Sequence, residues 1–197
     1  MLKITANDRA VPYSTVTALD VSKIGAARSD AAPAAHPAGL YLTDGQPAAP
    51  LADDELYLNA WTAKELAVAP GDSVTLAYYV VGPREELATT KTRFYLKGVL
   101  QMRGLAIDPT LTPEYPGLQD EEDIAAWDAP FPVDIGAIRP EDEAYWDNYG
   151  AAPKAFVAAD TGHRLWRSRH GELTAMRFYP PSADNFAALR QTLLKRL

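Results

Sequence analysis

Between residues 54 and 102 the apolar positions change period twice. Glu55–Leu58 is a short apolar run of strand length. Behind it, Ala60, Ala63 and Leu66, with Trp61, recur at helical spacing, and Asn59 suits the helix N-cap. Pro70-Gly71 ends that helix and sets a turn. Val74, Leu76, Tyr78 and Val80 then alternate with Ser73, Thr75, Ala77 and Tyr79, which predicts a strand over 73–81 with one apolar face. Gly82-Pro83 and the charged Arg84, Glu85 and Glu86 make a hairpin loop. The return strand, about Thr89–Met102, alternates Lys91, Arg93 and Lys97 with Thr92, Phe94 and Leu96. Gly98 interrupts the alternation and marks a bulge or a close approach.

The flanks are less regular. Leu2–Thr5 and Tyr13–Val21 are extended apolar stretches. Residues 26–50 are rich in Ala and Pro, and Pro33, Pro37, Pro47 and Pro50 each remove a backbone donor. This predicts a loop with a short extended piece at Gly39–Thr43. Further on, Asp120 suits the cap of a helix over Glu121–Trp127, and Pro140 opens a second helix that Gly150 stops. A strand at Lys154–Ala158, a helix capped by Asp160 through Trp166, a turn at Ser168–Gly171 and a strand at Leu173–Tyr179 follow. Ser182 caps a last helix whose Phe186, Leu189, Leu193 and Leu197 form an apolar stripe. Strands and helices are balanced without a βαβ rhythm, so the fold class is α+β, a mixed sheet with a central β-hairpin, flanking helices and an acidic helical insertion at about 104–152. One domain over 1–197 accommodates these elements.

Charge sharpens that division. The chain carries −7 overall, but residues 108–147 hold 12 acids against one base, Arg139, and are −11. The remaining 18 bases and 14 acids make the rest +4. This balance argues against a nucleic-acid partner. There is no cysteine, which excludes thiolate catalysis and Cys-ligated zinc. No apolar run reaches the roughly 18–20 residues of a membrane span. MLKITANDRA has no apolar stretch of signal-peptide length.

Candidate chemistry is sparse. His36, His163 and His170 are the only histidines, and a metal would need them to converge. Asp120, Glu121, Glu122 and Asp123 suit a solvated helix N-terminus better than a calcium loop, lacking its alternating spacing and mid-loop glycine. Twelve acids near aromatic residues leave a carboxylate pair for glycoside hydrolysis formally open. Tyr115, Trp127, Phe131, Tyr145, Trp146, Tyr149 and Trp166 crowd the second half, either as core or as a ligand or partner face. Trp127, Tyr145, Trp146 and Tyr149 are the candidate face. No phosphate loop, dinucleotide fingerprint or nucleophile elbow occurs. No cofactor is implied, and the chain is not expected to be an enzyme.

Leu56-x-Leu58-Asn59-x-Trp61-x-Ala63-x-x-Leu66-x-Val68-x-Pro70-Gly71-Asp72-x-Val74-x-Leu76 resembles a stretch in the large extracytoplasmic domain of bacterial ABC-transporter permeases of the MacB/FtsX type. Phe94-x-Leu96-x-Gly98-Val99-Leu100 resembles a later strand of that domain, and the acidic segment resembles an insertion in large permeases of the group. The matches cover roughly 54–180. The Val-x-Pro-Gly-Asp-x-Val turn alone also occurs in double-psi barrel domains, so the ordered combination carries the resemblance. It implies a non-catalytic periplasmic or cell-surface domain, tethered to the inner membrane in the full-length protein. Its partners would be the permease's own transmembrane helices, a separate ABC ATPase subunit, and a cargo or partner protein. The C-terminus, ending on LLKRL within an apparent helix, suits a domain excised from such a protein. A carbohydrate- or peptide-binding module using Trp127, Trp146 and Tyr149 is the alternative.

Overall fold

The computed structural model describes residues 2–25, 39–81, 86–113, 135–168, 171–176, 190–192 and 195. Its centre is a seven-stranded mixed sheet of β1 (Leu2–Ala6), β2 (Arg9–Ser14), β3 (Val16–Leu19), β4 (Glu55–Asn59), β5 (Ser73–Val81), β6 (Leu87–Leu100) and β7 (Ala155–Ala158). The spatial order is β2-β1-β5-β6-β4-β7-β3. β5 and β6 form the central antiparallel hairpin, while β6 pairs β4 and β7 pairs β3 in parallel. The fold class is α+β.

Sequence neighbours β2 and β3 stand at opposite edges of this sheet, and Thr15 alone joins them. Two residue steps span at most about 7 Å. The sheet is therefore curled until its edges nearly meet, with a seam where they diverge. Tyr13, at φ 47° within β2, sits where the register against Leu2 and Ile4 is irregular, just before this junction. The apolar stretch 13–21 is thus two strands and the start of helix α1 (Val21–Gly25), not one extended run.

The concave side is the main core. Alternate residues Ile4, Val11, Leu56, Leu58, Val74, Leu76, Phe94, Leu96, Ala155 and Val157 point into it. Helices α2 (Ala60–Leu66) and α4 (Ala159–Trp166) fill it with Ala63, Leu66, Leu165 and Trp166. A second cluster covers the convex side over β4 and β7, where Tyr57 and Phe156 meet Leu40, Leu100, Leu105 and Ala106. Gly98 explains how one strand serves both. The β4–β6 register slips there, so Phe94 and Leu96 face the concave core whereas Leu100, of the same parity, faces the convex cluster. A Cβ on Gly98 would meet Leu42 Cδ2 at 2.8 Å and Tyr57 Cε1 at 3.2 Å, so the position is both a bulge and a close approach.

The helix over 60–66 and its Asn59 cap match expectation: Asn59 Oδ1 accepts from Thr62 N at 2.8 Å. Its end does not depend on Pro70-Gly71. Ala67, at φ 52°, takes the left-handed capping position usually held by glycine, and its carbonyl accepts from Asn7 Nδ2 at 2.9 Å. Pro70-Gly71-Asp72 instead docks the next turn on β6, with Gly71 N donating to Leu96 O and Leu96 N to Asp72 O. Asn7-Asp8, both at positive φ, form the tight β1–β2 hairpin turn.

Pro140 opens α3 (Pro140–Tyr149) and Gly150 closes it, as the pattern predicts. Asp160 is not a cap; Ala158 holds that position, and Asp160 lies inside the first turn of α4. Leu173–Met176 forms no strand and is exposed, contrary to expectation. Ser168 and Gly171 do close a turn, and Arg190–Thr192 are helical, inside the last expected helix. The expected helix over 121–127, the hairpin loop at 82–85, the loop at 26–38 and the Ser182 cap lie outside the described residues.

Candidate functional site

Two places gather polar chemistry. The first lies where β4 runs into α2 and α3 crosses them. Asn59 is fully buried, and its Nδ2 donates to Tyr145 Oη at 2.9 Å and Pro153 O at 3.1 Å. Tyr145 Oη donates onward to Ala152 O at 3.1 Å. Burial raises the Tyr145 hydroxyl far above its ordinary value. Beside it, Asp142 is 2% exposed and accepts from Arg139 Nε at 2.9 Å and Arg139 Nη2 at 3.0 Å. The same carboxylate reaches back to the Arg139 backbone N–H at 3.1 Å, satisfying an orphan donor of the first turn. Arg139 also bridges to Glu65 on α2 at 3.1 Å.

Lys154 completes this cluster. Its Nζ is 4.0 Å from Asp142 Oδ1, too far for a hydrogen bond, and lies 5.0 Å and 4.8 Å from the ring centroids of Trp61 and Tyr145. Burial pulls its pKa down to about 8, against the opposing pull of Asp142. An amine so poised has the basicity of a catalytic lysine. Yet Lys154 is only 5% exposed, and it does not line the described cavity. The arrangement locks α3 to α2 and the start of β7.

The second place is the seam of the sheet. A cavity of about 440 Å³ opens there, lined by Ser14 to Ala18 at the β2–β3 junction, Tyr78 of β5, His163 and Trp166 of α4, and Leu111 to Pro113. Its size falls within the usual range of about 300–1,000 Å³ for small-molecule sites. Trp166 meets Tyr78 edge to face at 5.9 Å. A Cβ on Gly162 would lie 2.1 Å from Ala18 Cβ, so glycine is what allows α4 to form this wall. The hydroxyls donate inward: Ser14 Oγ to Val11 O, Thr15 Oγ1 to Ala151 O, Thr17 Oγ1 to Leu111 O and Thr112 Oγ1 to Ala151 O. Each of these hydroxyls thus commits its one proton to a backbone carbonyl. Glu172 is the one carboxylate in the described lining, and no Lys or Arg joins it.

Of the expected aromatic face, Tyr145 is buried while Trp146 and Tyr149 are half-buried. Tyr145 is 3% exposed and belongs to the structural cluster, with the Trp61 and Tyr149 rings tilted against it at centroid distances of 4.7 Å and 5.1 Å. Tyr149, four residues on, shares that side of α3, and half-buried Trp146 stands about 100° from Tyr145 and about 60° from Tyr149 around the helix. Trp127, His36, His170 and the Asp120–Asp123 run lie outside the described residues. Among the described residues no His, Asp and Glu group has the geometry of a metal site. Sequence reasoning missed Lys154 and the seam. No local pattern marks Lys154, but Gly162 within a helical run was a signal of close packing.

No family model matches the chain, and no curated protein matches it.

Proposed function

We propose that the chain is a non-catalytic extracytoplasmic domain of an ABC-transporter permease, which engages cargo or a partner protein or passes on conformational change. The observation that supports this reading is the use made of the segment bearing the resemblance. Leu56, Leu58, Leu66, Val74, Leu76, Phe94 and Leu96 form one buried core, and Asn59 and Asp72 side chains hold backbone amides. The side chains of the motif thus serve as a rigid support, and recognition falls to the surfaces around it. Reading the coding sequence on either side of this domain tests the proposal. Flanking apolar segments of about 18 residues or more and a neighbouring ATPase gene are expected. A reading frame without such segments overturns it.

The seam favours a second reading as a small-ligand binding module. Its oxygens are acceptors and its aromatic rings are apolar, which suits a neutral, hydroxyl-bearing ligand such as a sugar. Titration of intact protein with simple neutral sugars, followed by protein NMR, should shift the amides of Thr15 to Ala18 and the Trp166 indole. Shifts absent there, or unchanged in Trp166→Ala, reject it.

A further inference from the structure

Among the described residues nothing covers the convex side of β1, β5 and β6, in contrast to β4 and β7. Alternation places Lys3, Thr5, Thr75, Ala77, Tyr79, Lys91, Arg93 and Tyr95 on it, because their neighbours Ile4, Val74, Leu76, Tyr78, Phe94 and Leu96 face the core. Cross-strand register aligns Lys3 with Ala77 and Ala77 with Lys91, and likewise Thr5, Thr75 and Arg93. Tyr79 and Tyr95 are 44% and 51% exposed. The three strands contain no Asp or Glu. Lys97, farther along β6, is neutralised by Glu55 at 2.6 Å, whereas Lys3, Lys91 and Arg93 form no ion pair among the described residues.

We propose that this face docks an extended acidic polypeptide segment, held by Lys3, Lys91 and Arg93 and seated against Tyr95. The charge pattern selects the partner. Lys91, Arg93 and Tyr95 follow one another at every second residue of β6, an interval of about 6.7 Å. An extended peptide repeats its same-side side chains at that interval, so acids at alternate positions meet Lys91 and Arg93 together, and the next side chain meets the Tyr95 ring. Lys3, two strands away at about 10 Å, receives a flanking acid. A nucleic acid or a lipid surface extends past this small face and encounters a body carrying −7. A short peptide does not. Flat threonines and Ala77 between the bases leave room for its backbone. The inference stands apart from the permease reading, since it needs only the exposed face.

Fluorescence anisotropy with intact protein tests it, using a labelled peptide alternating Glu with Thr and a control in which Gln replaces Glu. The Glu peptide should bind, weaken as salt rises, and weaken about tenfold or more in Lys91→Glu/Arg93→Glu. Tyr95→Ala should weaken it several-fold. Equal binding of the Gln peptide, or no binding of the Glu peptide, overturns the proposal. So does tighter binding of oligothymidylate or of phosphatidylserine vesicles, which would reassign the face to nucleic acid or lipid. Concentration-dependent self-association abolished by the same double variant would instead make the occupant a second copy, and equally overturns it. Lys3→Glu, on another strand, serves as the second variant if the double one does not fold.

Discussion

The cluster around Lys154 and the face around Lys91 use the same residue types for opposite ends. In the cluster, Arg139, Asp142, Glu65 and Lys154 are brought together across α2, α3 and the start of β7, and their contacts are directed at one another. On the convex face Lys3 on β1 and Lys91 and Arg93 on β6 flank β5, with no acid on the three strands. Desolvation separates the two. A buried charge must be matched inside the protein or destabilise it, whereas an exposed one is solvated and remains available to a partner. The position of α3 decides which of these bases become structure, because it delivers Asp142 to Lys154 and none of its acids to β6 among the described ion pairs.

The sharpest way to break this contrast is to remove the acid that holds the cluster. Asp142→Ala leaves Arg139 without its bidentate partner and Lys154 as a buried cation on two aromatic rings. The expected loss is about 3–5 kcal/mol, read as a lower midpoint in urea denaturation. An unchanged midpoint would mean the cluster is solvated. A smaller effect comes from the glycine that lets β6 serve both layers. Gly98→Ala sets a methyl 2.8 Å from Leu42 Cδ2, and overpacking of this kind costs about 1–3 kcal/mol. Circular dichroism on heating measures it, and a melting point equal to that of the parent would refute the tight fit.

How much of this was legible beforehand follows from the range of the interactions. The start of α2, the strand over 73–81, the Asn59 cap and the Pro140–Gly150 helix rest on local spacing, capping and turn chemistry, and the sequence shows them directly. Asn7-Asp8 was also local, a pair tolerant of positive φ that went unused. Other features depend on distant residues. Tyr145 reads equally as core or as part of a partner face, because nothing near it in the chain announces that Asn59, 86 residues away, would accept it into the core. The curl that leaves a seam at Thr15 arises from pairing β1 to β5 and β3 to β7, contacts made across most of the chain. Ala67 shows the remaining limit, since a left-handed cap without glycine is sustained by Asn7 from another element.

Lys154 lets pH probe the buried region alone. Its folded pKa is lowered to about 8 by burial. The unfolded chain therefore holds its proton to higher pH than the folded one, so above about pH 8 the unfolded state binds more protons and stability rises with pH. The gain should be about 1 kcal/mol between pH 8 and 9, measured by urea denaturation at both values. Lys154→Met should remove most of that slope. A slope that survives in the variant would assign it to another group.

The smallest effect is expected where the contrast predicts none. Lys91→Ala and Arg93→Ala remove exposed side chains that form no ion pair among the described residues, from strand positions whose neighbours already fill the core. Each should alter stability by less than about 0.5 kcal/mol in the same urea assay. A loss comparable to that of Asp142→Ala would show that these bases support the fold, and the distinction between the two regions would collapse. A near-zero change, with the affinity for the acidic peptide reduced, separates recognition from stability at the level of single side chains.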